Sequence, residues 1–209
     1  MNKSQIDPAV DRPRTKAILK CVPMGGSLLD VGCVQHDANE ESNPNWLHGH
    51  LYDLADDVLG IDYLESDVER LQEAGYNVVA QNAEQLDLDE TFDTVVAGEL
   101  IEHLSNPGQF LDGVHDHLNP DGQLVLSTPN PWSLHRFYQT FSGEVYCNPE
   151  HACWFDERTL RQLLDRHNFE VNSVDYVEPP AWGIRKMLYR SGVKLLASGV
   201  FVTIATPTA

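Results

Sequence analysis

The sequence predicts an α/β fold, a mainly parallel sheet with helices on both faces, and three stretches carry that expectation. The first runs from Phe92 to Pro131. Phe92 to Ala97 is a short apolar, β-branched run suited to a strand buried on both sides. It gives way to the polar cluster Gly98, Glu99, Leu100, Ile101, Glu102 and His103, and then to Phe110, Leu111, Val114 and Leu118, spaced to line one helix face. Asn119-Pro-Asp-Gly122 supplies turn chemistry, and Gln123 to Ser127 is a second apolar strand that Thr128-Pro-Asn-Pro131 ends. The second stretch is the strand Ser27 to Val31, closing on Asp30-Val31-Gly32-Cys33. The third is the strand Val58 to Ile61, closing on Asp62. Strand, turn and helix alternate through all three, which is the pattern of a sheet covered on both faces.

The remaining elements follow in order. Residues 1–10 carry no pattern, and Asp11 to Cys21 predicts a short helix with Ala17, Ile18 and Cys21 on one face. Asp37 to Pro44 is acidic and asparagine-rich. Asn43-Pro44 reads as a helix start, asparagine capping and proline at the first helical position, with Leu47, Leu51 and Leu54 as the apolar stripe. His48 and His50 on that helix have acidic neighbours and read as a solvated face. Leu64, Val68 and Leu71 give a third helix, with Gly75 as its left-handed C-terminal cap, and Asn77 to Ala80 a further strand. Trp132 to Pro149 reads as a long aromatic loop, so residues 132–155 are the expected substrate side. Asp156 is the N-cap of a helix carrying Leu160, Leu163 and Leu164. Phe169 to Tyr176 and Val202 to Ala205 complete the strands, and the whole, residues 1–209, reads as one domain.

From Leu28 to about Val171 the chain resembles the class I S-adenosylmethionine-dependent methyltransferases. The Glu102-His103-Leu104 helix start, followed by Leu118-x-Pro120-x-Gly122-x-Leu124, is similar to motifs IV to VI of that family. Leu29-Asp-Val-Gly-Cys33 matches the first half of its motif I, whereas Val34, Gln35 and His36 stand where glycines are expected. The resemblance implies a Rossmann-like, seven-stranded sheet with the last strand antiparallel. It also implies S-adenosylmethionine as cofactor, with Asp30 and Gly32 shaping its pocket, Asp62 accepting bonds from the ribose and Asn82-Ala83 meeting the adenine. Asp62 lies thirty residues beyond Gly32, so the connection is longer than the usual ~20. Glu99, Glu102 and His103 would face the methyl group and the acceptor, with Glu99 on the cofactor side. The acceptor is expected to be a small-molecule or glycan hydroxyl.

The site chemistry has a separate reading from spacing. Methyl transfer needs alignment and removal of a proton, and His103, with a reference pKa of ~6.5, is the natural base. Glu99, Glu102 and His103 form E-x-x-E-H, which on the first turn of a helix puts three side chains on one face. Two carboxylates and an imidazole can hold Mg²⁺ or Zn²⁺. Ubiquinone-biosynthesis O-methyltransferases and small-RNA 2′-O-methyltransferases resemble the chain here, and the latter imply His151 as a further ligand. Cys147-x₃-His151-x-Cys153 offers another set of zinc-type ligands, at a spacing that matches no common finger. Two other function classes stay open. A nicotinamide-dependent oxidoreductase needs G-x-G-x-x-G, which the sequence lacks; a binding module that has kept the fold without the chemistry fits the altered motif I.

Composition sets outer bounds. Thirty-two acidic residues stand against fourteen basic ones, a formal charge of −18, with only five lysines. Dispersed acid of this kind predicts a solvated surface suited to high salt, a halophilic cytoplasm, and argues against nucleic acid as partner. Molar salt would weaken that last argument by screening. No leader opens the chain, and Arg190 and Lys194 interrupt the most apolar region, Met187 to Ile204, so no membrane span is expected. Cys21, Cys33, Cys147 and Cys153 are expected to be reduced thiols.

Overall fold

A computed structural model describes residues 9–35, 42–143, 147–180 and 183–208. His36, most of the acidic segment from Asp37, Tyr146 and nearly all of the patternless N-terminus lie outside the described residues. Seven strands join one sheet in the order β3-β2-β1-β4-β5-β7-β6. They are β1 (Ser27–Val31), β2 (Asp57–Asp62), β3 (Val78–Ala80), β4 (Phe92–Gly98), β5 (Leu118–Pro129), β6 (Phe169–Tyr176) and β7 (Val200–Pro207). β1 to β5 pair in parallel, and β7 runs antiparallel to both β5 and β6. The expected Rossmann-like sheet with its antiparallel last strand is therefore present.

Alternation along the strands decides which helices cover which face. Leu29, Val31, Val95, Ala97, Leu124 and Leu126 point to one side, where α4 (Pro107–His117) and α6 (Glu157–Arg166) bring Phe110, Leu111, Val114, Leu160 and Leu164. Leu28, Val58, Val96, Val125 and Val202 point to the other, against Ile18 and Leu19 of α1 (Pro13–Cys21) and Leu47 and Leu51 of α2 (Leu47–Leu51). A third group, Cys33, Val34, Trp46, Val68, Leu71 and Val78, packs α3 (Glu65–Glu73) beside the exit of β1.

β1 and β4 are neighbours, with the chain continuing outward in opposite directions on either side of them. This is a topological switch point, where a crevice opens beyond the carboxyl ends of the strands.

Several expectations are corrected. α2 begins at Leu47, and Asn43 instead accepts a bond from Asn45 N (2.9 Å), a local turn of the kind its short side chain favours. His48 is fully buried rather than solvated, because its face of α2 points at β1. Part of the expected aromatic loop is a helix, α5 (Leu134–Phe141), none of whose residues is buried. The apolar region after Met187 is divided among α7 (Ile184–Arg190), α8 (Lys194–Ala197) and β7. No described helix is long and apolar enough to cross a membrane. Asn119 to Gly122 do not separate helix from strand; they form an irregular start to β5, where the register with β4 shifts between Phe92 and Thr94. All four cysteines are free thiols.

Candidate active site

The loop after β1 is built around Asp62. Its carboxylate accepts from Val34 N (3.1 Å) and Leu64 N (3.2 Å), so one side chain ties the β1 exit to the β2 exit. Burial pushes its pKa up and the backbone amides pull it back. Gly32 takes φ +84°, and a Cβ there would come within 3.3 Å of Leu100. Gln35 also adopts a left-handed backbone, φ +66°, a conformation that costs a non-glycine residue about 1–2 kcal/mol. Val34 fills one of the expected glycine positions and is fully buried with Trp46, Val68 and Leu71.

Asp30 faces the sheet interior. It accepts from His48 Nδ1 (2.9 Å), both groups are buried, and His48 Nε2 has no hydrogen-bond partner among the described residues. Asp30 therefore reaches the crevice by fixing α2 beneath it. A Cβ on Gly60 would meet His48 Cε1 at 2.5 Å, so glycine is what lets this histidine lie against β2. On the other flank, Asn82 is exposed and caps the short 3₁₀ turn Ala83–Gln85 by accepting from Glu84 N (3.0 Å).

At the end of β4 the E-x-x-E-H residues separate. Glu99 sits at φ +54°, outside any helix, and its carboxylate pairs with Arg14 of α1. Left-handed backbone in a non-glycine residue concentrates at functional sites. Ile101–His103 is a single 3₁₀ turn, so the helical face expected to unite all three side chains does not form. Glu102 turns inward, 1% exposed, and accepts from Thr128 Oγ1 (3.0 Å) through Oε2. Burial, with the Glu99 charge second, raises its pKa to about 8.

A remote segment completes the cluster. Ala152 N and Cys153 N donate to Glu102 O (2.8 and 3.1 Å), which delivers His151 to His103 with ring centroids 4.6 Å apart. Burial, and next the neighbouring His103, lower the His151 pKa. Ligand-capable atoms of Glu102, His103 and His151 all lie within 4.8 Å of one another. Glu102 Oε1 and His151 Nδ1 are both buried without a hydrogen-bond partner among the described residues. Cys147 and Cys153 do not join this group; the Cys153 thiol approaches Ile101 O instead (3.6 Å). His151 also meets Trp154 (5.7 Å), which carries the Arg136 guanidinium over its ring at 4.2 Å.

Of the expected cluster, Glu102, His103 and His151 come together, and Glu99 stands apart on Arg14. Sequence reasoning missed Arg14, Thr128 and Trp154. Thr128 had a readable signal, a hydroxyl at the carboxyl end of a parallel strand; Arg14 had none, since only the packing of α1 brings it to β4.

Comparisons with known proteins identify the family and the fold. Residues 4–174 match the family described as "Methyltransferase domain". The ubiquinone biosynthesis O-methyltransferase of Rickettsia conorii is 35% identical over 109 residues, 49% of this chain and 35% of that protein. Its Xylella fastidiosa counterpart is 28% identical over 123 residues, 58% of this chain and 50% of that protein. The matched stretch thus spans half or less of the length of those two relatives. Among solved structures, the 1,6-didemethyltoxoflavin-N1-methyltransferase of Burkholderia thailandensis, with bound substrate and S-adenosylhomocysteine, superposes with a TM-score of 0.63 at 20% identity, covering 97% of this chain and 80% of its own. A TehB-like methyltransferase from Corynebacterium glutamicum gives a TM-score of 0.60 at 17% identity, covering 94% and 88%. The structures speak for the fold and the family match for descent: the chain belongs to the methyltransferase-domain family, among the class I S-adenosylmethionine-dependent methyltransferases.

Proposed function

We propose that the protein transfers a methyl group from S-adenosylmethionine to a hydroxyl of a small-molecule or glycan acceptor. The observation that carries this reading is the convergence of Glu102, His103 and His151 at the exit of β4, in a chain whose residues 4–174 match the methyltransferase family. Bound S-adenosylmethionine supplies a methyl group already activated on a sulfonium, which leaves the protein to align the acceptor and remove a proton. Gly32 turns the backbone toward the cofactor. Each oxygen of Asp62 accepts one backbone amide and keeps a lone pair for a ribose hydroxyl. Asn82 and Ala83 border the adenine end, and Glu99, held by Arg14, closes the cofactor side.

His103 would take the proton that the acceptor hydroxyl gives up when the cofactor's carbon–sulfur bond is exchanged for a carbon–oxygen bond and S-adenosylhomocysteine is left. Glu150 Oε2 lies 4.0 Å from His103 Nδ1. Glu102, buried beneath the two histidines with a pKa raised to about 8, keeps a mostly neutral carboxyl at pH 7. The hydroxyl acceptor draws support from the ubiquinone O-methyltransferases similar to this chain.

The two partnerless atoms favour an alternative state of the site, a divalent ion held by Glu102, His103 and His151, in which Glu102 is ionised and His103 is a ligand and not the base. One carboxylate and two imidazoles suit Zn²⁺ better than Mg²⁺, which prefers oxygen ligands. Such an ion would lower the pKa of a bound hydroxyl.

A panel of hydroxyl acceptors, followed by S-adenosylhomocysteine formation, tests the reading. Replacing His103 by alanine should lower kcat by about 10²- to 10⁴-fold while cofactor affinity holds. Undiminished turnover in that variant would remove His103 as the base. Titration of wild type and Glu102→Ala with Mg²⁺, Mn²⁺ and Zn²⁺ decides the metal, which is rejected if no binding is lost with Glu102. Cofactor binding with no turnover on any acceptor would favour the non-catalytic binding module.

A further inference from the structure

Three anchors hold the loop that carries His103. At its start, Glu99 N donates to Ser127 O (3.0 Å), which ties it to β5. In the middle, Glu102 O accepts from Ala152 N and Cys153 N (2.8 and 3.1 Å). At its end the anchor is a side chain from a different part of the sheet, Glu84, in the turn after β3. Glu84 Oε1 accepts from Ser105 N and Asn106 N (2.5 and 3.0 Å), and Oε2 accepts from Asn106 Nδ2 (3.0 Å). The bonds from Asn106, side chain first, hold the Glu84 carboxyl below its ordinary value.

Glu84 is rooted in the segment expected to meet the adenine. Its own N–H donates to Asn82 Oδ1 (3.0 Å), and Gln85 N donates to Asn82 O (2.9 Å), so Asn82 closes the turn that carries it. One residue earlier, Gln81 N donates to Asp62 O (2.9 Å), which continues the connection to the acid at the end of β2. Ala83 and Leu86 pack against the same core as Phe110, Leu111 and Val114 of α4.

We propose that Glu84 is a positioning residue, coupling occupation of the adenine side by the cofactor to the placement of the loop that bears His103. The inference rests on the reading above, in which Asn82 and Ala83 border the adenine and His103 faces the acceptor. Bonds to a carboxylate are roughly twice as strong as neutral ones, and three that share one planar group fix direction as well as distance. α4 lacks a cap of its own, since Asn106 at its N-cap makes no side-chain cap bond. For α6 the cap is local, Asp156; for α4 the acid at the helix entry comes from the adenine turn, where the helix dipole also favours it. A local cap would steady α4 and nothing more. Supplied from the adenine turn, it makes the entry of α4, and His103 three residues before Asn106, move with that turn. By linkage, whatever steadies the loop also tightens cofactor binding.

Amide hydrogen exchange on the full chain, with and without S-adenosylhomocysteine, tests this on wild type, Glu84→Ala, Glu84→Asp and Glu84→Gln, with affinity measured by calorimetry on the same samples. The readout is taken at His103 and Leu104, whose amides donate to Leu100 O and Ile101 O and not to Glu84. In wild type the ligand should slow exchange there about fivefold or more, the lower end of coupling between sites. Glu84→Ala should lose that slowing and bind the ligand more weakly by a similar factor. Glu84→Asp keeps the charge but draws the carboxylate back from the loop, and should behave as alanine does. Glu84→Gln keeps the reach, and its carbonyl can accept from both backbone amides, so it should restore most of the wild-type response. A cap without coupling would speed exchange in Glu84→Ala while leaving the ligand-induced slowing intact, and that result overturns the proposal. Full slowing in Glu84→Asp overturns it as well, which decides the matter even if the alanine variant does not fold. S-adenosylhomocysteine binding to wild type with no slowing at His103 and Leu104 rejects the coupling alone, whereas no binding to wild type rejects the cofactor reading and this inference with it.

Discussion

Glu102 is buried at the exit of β4, and its environment makes its protonation a property of the fold. Its carboxyl is held near pKa 8 by burial and by the Glu99 charge, against an ordinary value of 4.5. Between those two values the folded protein keeps a proton that the unfolded chain has released. Stability from this group is therefore full below about pH 4.5, falls as pH rises toward 8, and levels off above. In chelator-treated protein, urea midpoints at pH 5 and pH 9 should diverge for wild type and converge for Glu102→Gln. Equal pH dependence of the two proteins would contradict the assignment. Gly60 is the second residue with a sharp expectation. Because a Cβ there meets His48 Cε1 at 2.5 Å, Val78 Cγ1 at 2.8 Å and Cys33 Sγ at 2.9 Å, Gly60→Ala should cost about 1–3 kcal/mol by overpacking. Thermal melting measures it, and an unchanged midpoint would show that the His48–Asp30 pair can shift aside.

The elements show which patterns a sequence displays and which it conceals. α6 was legible because its cap is local: Asp156 accepts from Thr159 N (2.8 Å) and Thr159 Oγ1 accepts from Asp156 N (3.0 Å), a reciprocal box within four residues. Asp156→Ala should cost about 0.5–2 kcal/mol in a denaturant melt. Strands β1, β2 and β4 were legible because burial on both faces demands continuous apolar runs. α5 was not, although Phe137, Tyr138 and Phe141 stand at helical spacing; with no buried residue its periodicity faces outward, and aromatic richness resembled a loop. The E-x-x-E-H motif failed for a different reason. Its spacing assumes a regular first turn, whereas the left-handed Glu99 and the single 3₁₀ turn at Ile101–His103 redirect the first carboxylate to Arg14. The His103–His151 encounter was readable only through a family resemblance, because residues 48 positions apart in the chain are joined here by backbone bonds from Ala152 and Cys153 to Glu102 O.

At the scale of the whole molecule, a mixed sheet with its switch point between β1 and β4 sets the crevice, and the chain around it carries a formal charge of −18. Repulsion among dispersed carboxylates is screened by salt, with a Debye length falling from about 10 Å at 0.1 M to about 3 Å at 1 M. The melting temperature should accordingly rise between those salt concentrations; a flat or falling curve would remove the halophilic reading. This crevice is expected to bind S-adenosylmethionine despite valine and glutamine in the loop after β1. The direct measurement is calorimetric titration with S-adenosylmethionine and S-adenosylhomocysteine at high salt, on wild type and on Asp62→Ala shown to be folded by circular dichroism. We predict micromolar binding of both to wild type and clear weakening in the variant. Absence of heat with either ligand in folded wild type would contradict the account and leave a methyltransferase fold without its cofactor.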